Sequence, residues 1–186
     1  LKKKGFKVFL DLKFHDIPNT VAGAIRAVAG LGAAVVNVHA SGGPAMLDAA
    51  RDAAESVGGT SRPLVIAVTV LTSMDDGDLS AVGQTPPAEE QVVRLAQLTQ
   101  NHGLDGVVCS PAEIEPIRAA CGPEFKLIVP GIRPDWAASG DQKRITTPRQ
   151  ARDRGADMLV IGRPITGADD PAAAAARIAE ELGVSA

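Results

Sequence analysis

Three charged side chains lie close together near the start of the chain. The sequence pattern predicts a β-strand over residues 7–12; Asp11 lies near its end, and Lys13 and Asp16 follow it. The carboxyl end of a strand is where α/β enzymes carry catalytic groups, and an ammonium beside a carboxylate can supply a fixed cation and a proton. A structural role also stays open, because buried charges are costly unless paired. In that case Asp11 and Lys13 form an ion pair, and Asp16, Asn19 or Thr20 caps the next helix.

The strand period predicts which side chains share a face. Because side chains alternate along a strand, Asp11 and Lys13 share one face, and Leu12 belongs to an apolar row facing the helices. Asn37 and His39 share one face of another predicted strand. We expect both to line the interior of the sheet, as polar support rather than as catalytic groups.

Strand and helix patterns alternate along the whole chain. Proline stands near several predicted helix starts, and glycine follows several helix ends. This alternation predicts an α/β protein with parallel strands, as one domain over residues 1–186. The predicted strands are residues 7–12, 34–38, 64–70, 106–109, 126–129 and 158–161, and the predicted helices are residues 20–31, 44–57, 87–101, 112–120, 148–154 and 171–182.

Two folds fit this alternation. A (β/α)8 TIM barrel has about 250 residues, with about 200 as a minimum, so 186 residues and six strands predict an incomplete barrel of about six of the eight β/α units. A doubly wound open sheet tolerates six strands. No glycine-rich dinucleotide or phosphate turn follows a predicted strand, which favours the barrel.

Composition excludes several classes of protein. The 19 basic and 22 acidic side chains give a net charge of −3, and aromatic residues make up 3%, so we expect no nucleic-acid partner. No apolar run is long enough for a membrane span, and we expect a cytoplasmic protein. Two cysteines, Cys109 and Cys121, are too few for a disulfide framework or a zinc site, and we interpret them as reduced packing residues. Residues 75–78 resemble a calcium loop only faintly and are predicted to form a solvated turn.

Four separated motifs carry a resemblance to one family. They are FLDLKFHDIPNT at residues 9–20, VTVLTSM at 68–74, PGIRP at 130–134 with GDQ at 140–142, and IGRP at 161–164. In this order and spacing they closely resemble the orotidine 5'-phosphate decarboxylase family. The resemblance implies a (β/α)8 barrel that acts as a homodimer, uses no cofactor or metal, and converts orotidine 5'-phosphate to uridine 5'-phosphate and carbon dioxide.

The resemblance also implies roles for the charged residues. Lys13 is implied as the proton donor to C6 of the pyrimidine, and Asp11 as the carboxylate beside the departing group. Asp16 and Thr20 resemble the pair that crosses the dimer interface to complete the neighbouring site, and Ile17 resembles a substrate-binding residue of the same segment. Carboxylates around an amine favour its protonated form, which suits this role of Lys13.

Further family positions concern the phosphate and the base. Arg163 resembles the phosphate-binding arginine, with Gly162 supplying backbone near the anion, and Gln142 resembles a second phosphate partner. Arg133 falls at a ligand-contacting position, and Thr72 at one near the pyrimidine. From the residues alone, an exposed arginine at a helix start stays open as the less favoured alternative for Arg163, and a hydroxyl that merely ends a strand stays open for Thr72. The small residues of segment 133–142 suit either a closing loop or plain solvent exposure.

Two other functions stay open. One is a magnesium-dependent sugar-phosphate decarboxylase or aldolase of the same barrel group, although IPNT at residues 17–20 favours the pyrimidine enzyme. The other is a catalytically inactive truncated barrel. The family pattern has two more strands before residue 1, which carry a ribose-binding aspartate and a second lysine of the charged array. We therefore expect a truncated or partial record of a normal enzyme.

Overall fold

Six parallel strands form the central sheet. The computed structural model describes residues 2–137 and 146–184, and its strands lie in chain order, each hydrogen-bonded to the next. Because every neighbour is parallel, all six carboxyl ends meet at the same edge of the sheet. The strands are β1 Phe9–Phe14, β2 Val35–His39, β3 Leu64–Val68, β4 Gly106–Val108, β5 Lys126–Pro130 and β6 Met158–Val160.

The helices connect these strands and cover one face of the sheet. Several begin with proline, whose fixed φ and missing N–H suit the first turn. All six predicted strands and all six predicted helices are present, with shifted ends. The α-helices of the described residues are α1 Pro18–Gly30, α2 Pro44–Glu55, α3 Asp76–Ala81, α4 Ala88–Asn101, α5 Ile114–Cys121, α6 Pro148–Asp153, α7 Arg163–Thr166 and α8 Pro171–Glu181.

Two short helices were not predicted. The expected solvated turn at residues 75–78 is wrong, because α3 begins there with a reciprocal cap. The Asp75 side chain accepts a hydrogen bond from the Asp78 N–H at 2.9 Å, and the Asp78 side chain accepts one from the Asp75 N–H at 3.2 Å. These bonds satisfy donors that a helix start otherwise leaves free. The helix α7 has only four residues and follows β6 directly.

The sheet separates a large core from a smaller one. Alternate strand residues such as Val36, Val65 and Leu127 pack against the helices in the main core. Their neighbours Val35, Ile66 and Ile128 form a second cluster on the opposite face. Side chains of β1 and β6, the two ends of the sheet, line one cavity on this second face, so the sheet is curled. Both faces are apolar, as in parallel sheets generally.

The strand β1 departs from regular alternation. Its register against β2 shifts between Leu10 and Phe14, and Lys13 has a φ of 51°, in the left-handed region. Leu12 is 51% exposed, so the prediction that it joins a buried row facing the helices is wrong. The irregularity breaks the two-residue period on which that prediction depended.

The outer strands are the most open parts of the sheet. Among the described residues, β1 pairs only with β2, and β6 pairs only with β5. Met158 and Val160 of β6 are 37% and 40% exposed, whereas the central strands are largely buried. None of the helices in the described ranges combines the length and apolar character needed to cross a bilayer.

Candidate active site

A cavity of about 160 Å³ lies at the carboxyl ends of the strands. Every strand contributes to its wall, and among the described residues only Asp11 and Lys13 bring a charge to it. Larger cavities, of about 850 Å³ beside α6 and α8 and about 970 Å³ at the amino ends of the strands, contain neither. We therefore assign the site to the smallest of the three. Its lining is Phe9, Asp11, Lys13, Asn37, Val68, Val70, Leu71, Thr72, Val108, Cys109, Pro130 and Val160.

Asp11 and Lys13 form a direct ion pair in this cavity. The Lys13 Nζ donates to Asp11 Oδ1 at 2.6 Å, and the two side chains are 41% and 48% exposed, with Lys13 the less exposed. Burial raises the pKa of Asp11, but hydrogen bonds from Lys13 and Asn37 and the charge of Lys13 more than offset this, so its pKa lies below the usual value. The pair therefore presents an ionised carboxylate beside an ammonium.

Asn37 holds both members of the pair. Its Nδ2 donates to Asp11 Oδ1 at 2.6 Å, and its Oδ1 accepts from the backbone N–H of Lys13 at 2.8 Å. Asn37 is 1% exposed and projects from β2 between buried valines. The prediction of polar support from this residue is confirmed, and the structure adds that it supports the charged pair itself.

The bond to Asn37 coincides with the unusual backbone of Lys13. A left-handed conformation costs a residue with a Cβ roughly 1–2 kcal/mol, and such strain persists where neighbouring contacts impose it. Here the accepting oxygen of Asn37 fixes the Lys13 N–H at the point where β1 leaves the regular register. The residue with the left-handed backbone is thus the one that carries the amine of the pair.

His39 lies beside the site rather than in its wall. It ends β2 half-buried, with its ring centroid 5.4 Å from that of His15, and the described cavity lining does not include it. It stays on the face of β2 that carries Asn37, as the strand period predicts, because β2 keeps a regular register against β3. Burial, followed by the charges of His15 and Lys13, lowers the pKa of His39. The neutral imidazole is favoured in the folded protein.

Asp16, Ile17 and Thr20 are all exposed and lie outside the described cavity wall. Asp16 follows β1, and its Oδ1 accepts from the N–H of Ile17 at 2.7 Å. Ile17 is the residue before α1, and no side chain caps that helix. The alternative in which Asp16, Asn19 or Thr20 caps α1 is therefore wrong.

Thr72 joins the cavity wall from the exposed segment after β3. Cys109 joins it from the end of β4, where it is buried, and burial raises the pKa of its thiol. Cys109 and Cys121 are both free and buried, as predicted. The spacing of Cys109 gave no sign that it reaches the cavity, because only the curl of the sheet brings β4 toward β1.

The phosphate candidates lie outside the cavity wall. Arg133 follows β5 and is 6% exposed, and its backbone N–H donates to the carbonyl of Thr146 at 3.1 Å. Gly162 and Arg163 lie at the start of α7, where Arg163 is exposed. Gln142 lies outside the described residues, as does half of segment 133–142. Within residues 2–137 and 146–184, no group of three histidine, cysteine or acidic side chains is placed to hold a metal ion.

Comparisons with known proteins agree with these motifs. The model of the "Orotidine 5'-phosphate decarboxylase / HUMPS family" matches residues 1–178. The orotidine 5'-phosphate decarboxylase of Paramagnetospirillum magneticum is 57% identical over 97% of this chain and 78% of that protein. The same enzyme of Saccharophagus degradans is 59% identical over 96% of this chain and 74% of that protein.

A solved structure gives the fold comparison. The crystal structure of orotidine 5'-phosphate decarboxylase from Lactobacillus acidophilus is 40% identical, with a TM-score of 0.86 over 98% of this chain and 78% of that chain. The chain thus spans about three quarters of the length of these relatives. The curled six-stranded sheet is consistent with an incomplete (β/α)8 barrel.

Proposed function

Because this chain belongs to the orotidine 5'-phosphate decarboxylase / HUMPS family, we propose that it catalyses the conversion of orotidine 5'-phosphate to uridine 5'-phosphate and carbon dioxide without a cofactor. Relatives that are 57% and 59% identical are named as this enzyme, a decarboxylase of pyrimidine synthesis. The observation that carries the proposal is the Asp11 and Lys13 pair, held by Asn37 at the carboxyl end of the sheet.

Lys13 is the proposed acid of the reaction. When the bond between C6 and the carboxylate breaks, carbon dioxide leaves and the electron pair stays on C6. The ammonium of Lys13 stabilises this charge and then transfers a proton to C6, which leaves a neutral amine that solvent reprotonates. A positioned cation that also carries the proton meets both needs of a decarboxylation that no cofactor assists.

Asp11 is the proposed partner of that cation. Its hydrogen bond from Lys13 orients the ammonium, and its lowered pKa keeps the carboxylate ionised beside it. In the proposed complex its charge also lies beside the carboxylate of the substrate, so loss of carbon dioxide relieves a repulsion between like charges. Thr72, the polar residue across the cavity, is the proposed neighbour of the pyrimidine.

The phosphate is proposed to be the second group of the substrate that the protein binds. Arg163 with the backbone of Gly162, together with Gln142 and Arg133, is proposed to bind it. Arginine suits this role because its planar fork matches phosphate oxygens. Binding energy from the phosphate, remote from C6, can then stabilise the state in which the reaction occurs.

The proposed enzyme is a homodimer in the cytoplasm. Asp16, Ile17 and Thr20 are exposed on the segment that directly follows β1, and Ile17 is 68% exposed although it is apolar. We propose that these residues complete the site of a neighbouring subunit. In such a dimer the apolar side chain of Ile17 is buried against the neighbouring subunit, and activity requires the dimer.

The decisive experiment measures the absorbance of orotidine 5'-phosphate during turnover by the protein at the full length that its gene encodes. Lys13→Ala is expected to lower kcat by about a thousandfold or more while the protein stays folded. Lys4→Ala, an exposed lysine outside the site, is the control and is expected to keep full activity. A fully active Lys13→Ala variant would remove Lys13 from the mechanism.

Chelator treatment, turnover of sugar phosphates and binding of uridine 5'-phosphate separate the other two functions. Activity that survives a strong chelator supports the pyrimidine enzyme, whereas turnover of sugar phosphates that is lost with the chelator supports the magnesium-dependent member of the family. Tight binding of uridine 5'-phosphate without any turnover would identify an inactive barrel.

A further inference from the structure

The segment after β5 is attached to the last helix by an aromatic contact. The guanidinium carbon of Arg177, on α8, lies 4.7 Å from the centroid of the Trp136 ring. The Nε1 of Trp136 is buried and meets no acceptor among the described residues. The ring is thus oriented by the cation above it and by packing rather than by a hydrogen bond of its own.

Trp136 is close to a residue of the proposed phosphate site. It lies three positions after Arg133, in a turn closed by the N–H of Ala137 donating to the carbonyl of Pro134 at 3.0 Å. Arg133 and Pro134 are both buried. Trp136 therefore belongs to a tight turn, residues 134–137, that directly follows Arg133.

A second contact ties the returning chain to the same helix. The backbone N–H of Arg149 donates to the Glu181 side chain at 3.1 Å, and its guanidinium donates to the Glu181 carbonyl at 3.2 Å. The Arg133 N–H bonds the carbonyl of Thr146, just before α6. Both sides of the segment that carries Arg133 are thus attached to α8, the helix that follows Arg163 and α7.

We propose that Arg177 is a positioning residue for substrate phosphate: by stacking on Trp136 it fixes the turn that carries Arg133 relative to the start of α7, which carries Arg163. This inference rests on the proposed function and adds a residue to it. Arg177 itself does not touch the substrate. Its removal changes the relative placement of two cationic groups that must reach one phosphate, so its effect falls on substrate affinity.

The test compares Arg177→Ala with Arg177→Lys in the full-length protein. Arg177→Ala is expected to raise the KM for orotidine 5'-phosphate and the Kd for uridine 5'-phosphate about three- to tenfold, with kcat within about twofold. Arg177→Lys keeps a cation over the ring and is expected to restore both values to within about twofold. Arg94→Ala, an exposed arginine on α4, is the control and is expected to change neither.

Trp136 supplies an independent readout, taken as the emission difference between proteins with and without Trp136, because it is the only tryptophan among these 186 residues. Its emission is expected to shift in Arg177→Ala before any ligand is added, and Trp136→Ala combined with Arg177→Ala is expected to raise KM no further than either substitution alone. Additive effects, an unchanged KM, or a loss of kcat and thermal stability with KM unchanged would each overturn the inference. An Arg177→Lys variant as impaired as Arg177→Ala would also overturn it.

The two proposals fail in different ways. If the wild-type protein binds uridine 5'-phosphate but does not turn over orotidine 5'-phosphate, the proposed function fails, and the effect of Arg177→Ala on the Kd still tests the positioning role. If the wild-type protein is active and Arg177→Ala leaves KM and Kd unchanged, only the positioning role fails.

Discussion

Replacing Asn37 with alanine removes two hydrogen bonds that converge on the charged pair. Asn37 donates to Asp11 at 2.6 Å and accepts from the backbone of Lys13 at 2.8 Å, and it is 1% exposed. The substitution leaves the ion pair chemically intact. It therefore tests whether the placement of the pair, rather than its presence, supports catalysis.

The expected loss of stability follows from these two bonds. A hydrogen bond to a charged group contributes about 1.5–3 kcal/mol and one between neutral groups about 0.5–1.5 kcal/mol. Asp11 is about half exposed, so water replaces part of the first bond and the lower end of that range applies. We expect Asn37→Ala to lower the free energy of unfolding by about 2–3 kcal/mol.

The effect on turnover follows from the strained backbone. Without the bond to Asn37, that hydrogen bond no longer offsets the roughly 1–2 kcal/mol cost of the left-handed conformation of Lys13. The amine then leaves its place for much of the time. At about 1.4 kcal/mol for each factor of ten, this cost of about 1–2 kcal/mol is expected to lower kcat roughly fivefold to thirtyfold.

Urea unfolding and steady-state turnover measure the two effects, with the m-value checking that the unfolded state is unchanged. Asn101→Ala, an exposed asparagine at the end of α4, is the matched control and is expected to change stability by less than about 0.5 kcal/mol. If Asn37→Ala kept the kcat and unfolding free energy of the wild type, the contact between Asp11 and Lys13 would be sufficient to hold both side chains in place. Our account of Asn37 would then be wrong.

Two further predictions concern the same end of the sheet. Lys13→Gly is expected to be about 1 kcal/mol more stable than Lys13→Ala in urea, because glycine adopts a φ of 51° without the Cβ penalty, and equal midpoints would contradict a strained backbone. The free energy of unfolding is expected to fall as the pH drops below 6.5. Burial and the charges of His15 and Lys13 lower the pKa of His39 in the folded protein, so the unfolded chain binds a proton more readily than the folded chain in this range. His39→Gln should flatten this fall, and an unchanged pH dependence would exclude His39 as its source.

Short-range patterns in the chain determined the order and type of the main elements. Apolar runs such as residues 64–70 and 126–129 specify buried parallel strands, and proline and glycine near the helix ends limit the helices. The charged run at the end of the first strand located the site, and its motif indicated the family. A local signal was also present for α3, where Asp75 and Asp78 have the spacing of a reciprocal cap that we did not recognise.

Tertiary structure alone decided which side chains meet. Asn37 donates to Asp11 across 26 positions of the chain because the register of β1 and β2 places them together. Trp136, in the turn after β5, contacts Arg177 because α8 packs beside that turn. The left-handed φ of Lys13 and the exposure of Leu12 arise from an irregularity between β1 and β2 that no alternation pattern encodes. Periodicity and helix caps depend on neighbours within a few residues, whereas these contacts depend on how separate elements align. The sequence therefore indicated where the candidate site lies, and only the fold determined how its charged side chains are held.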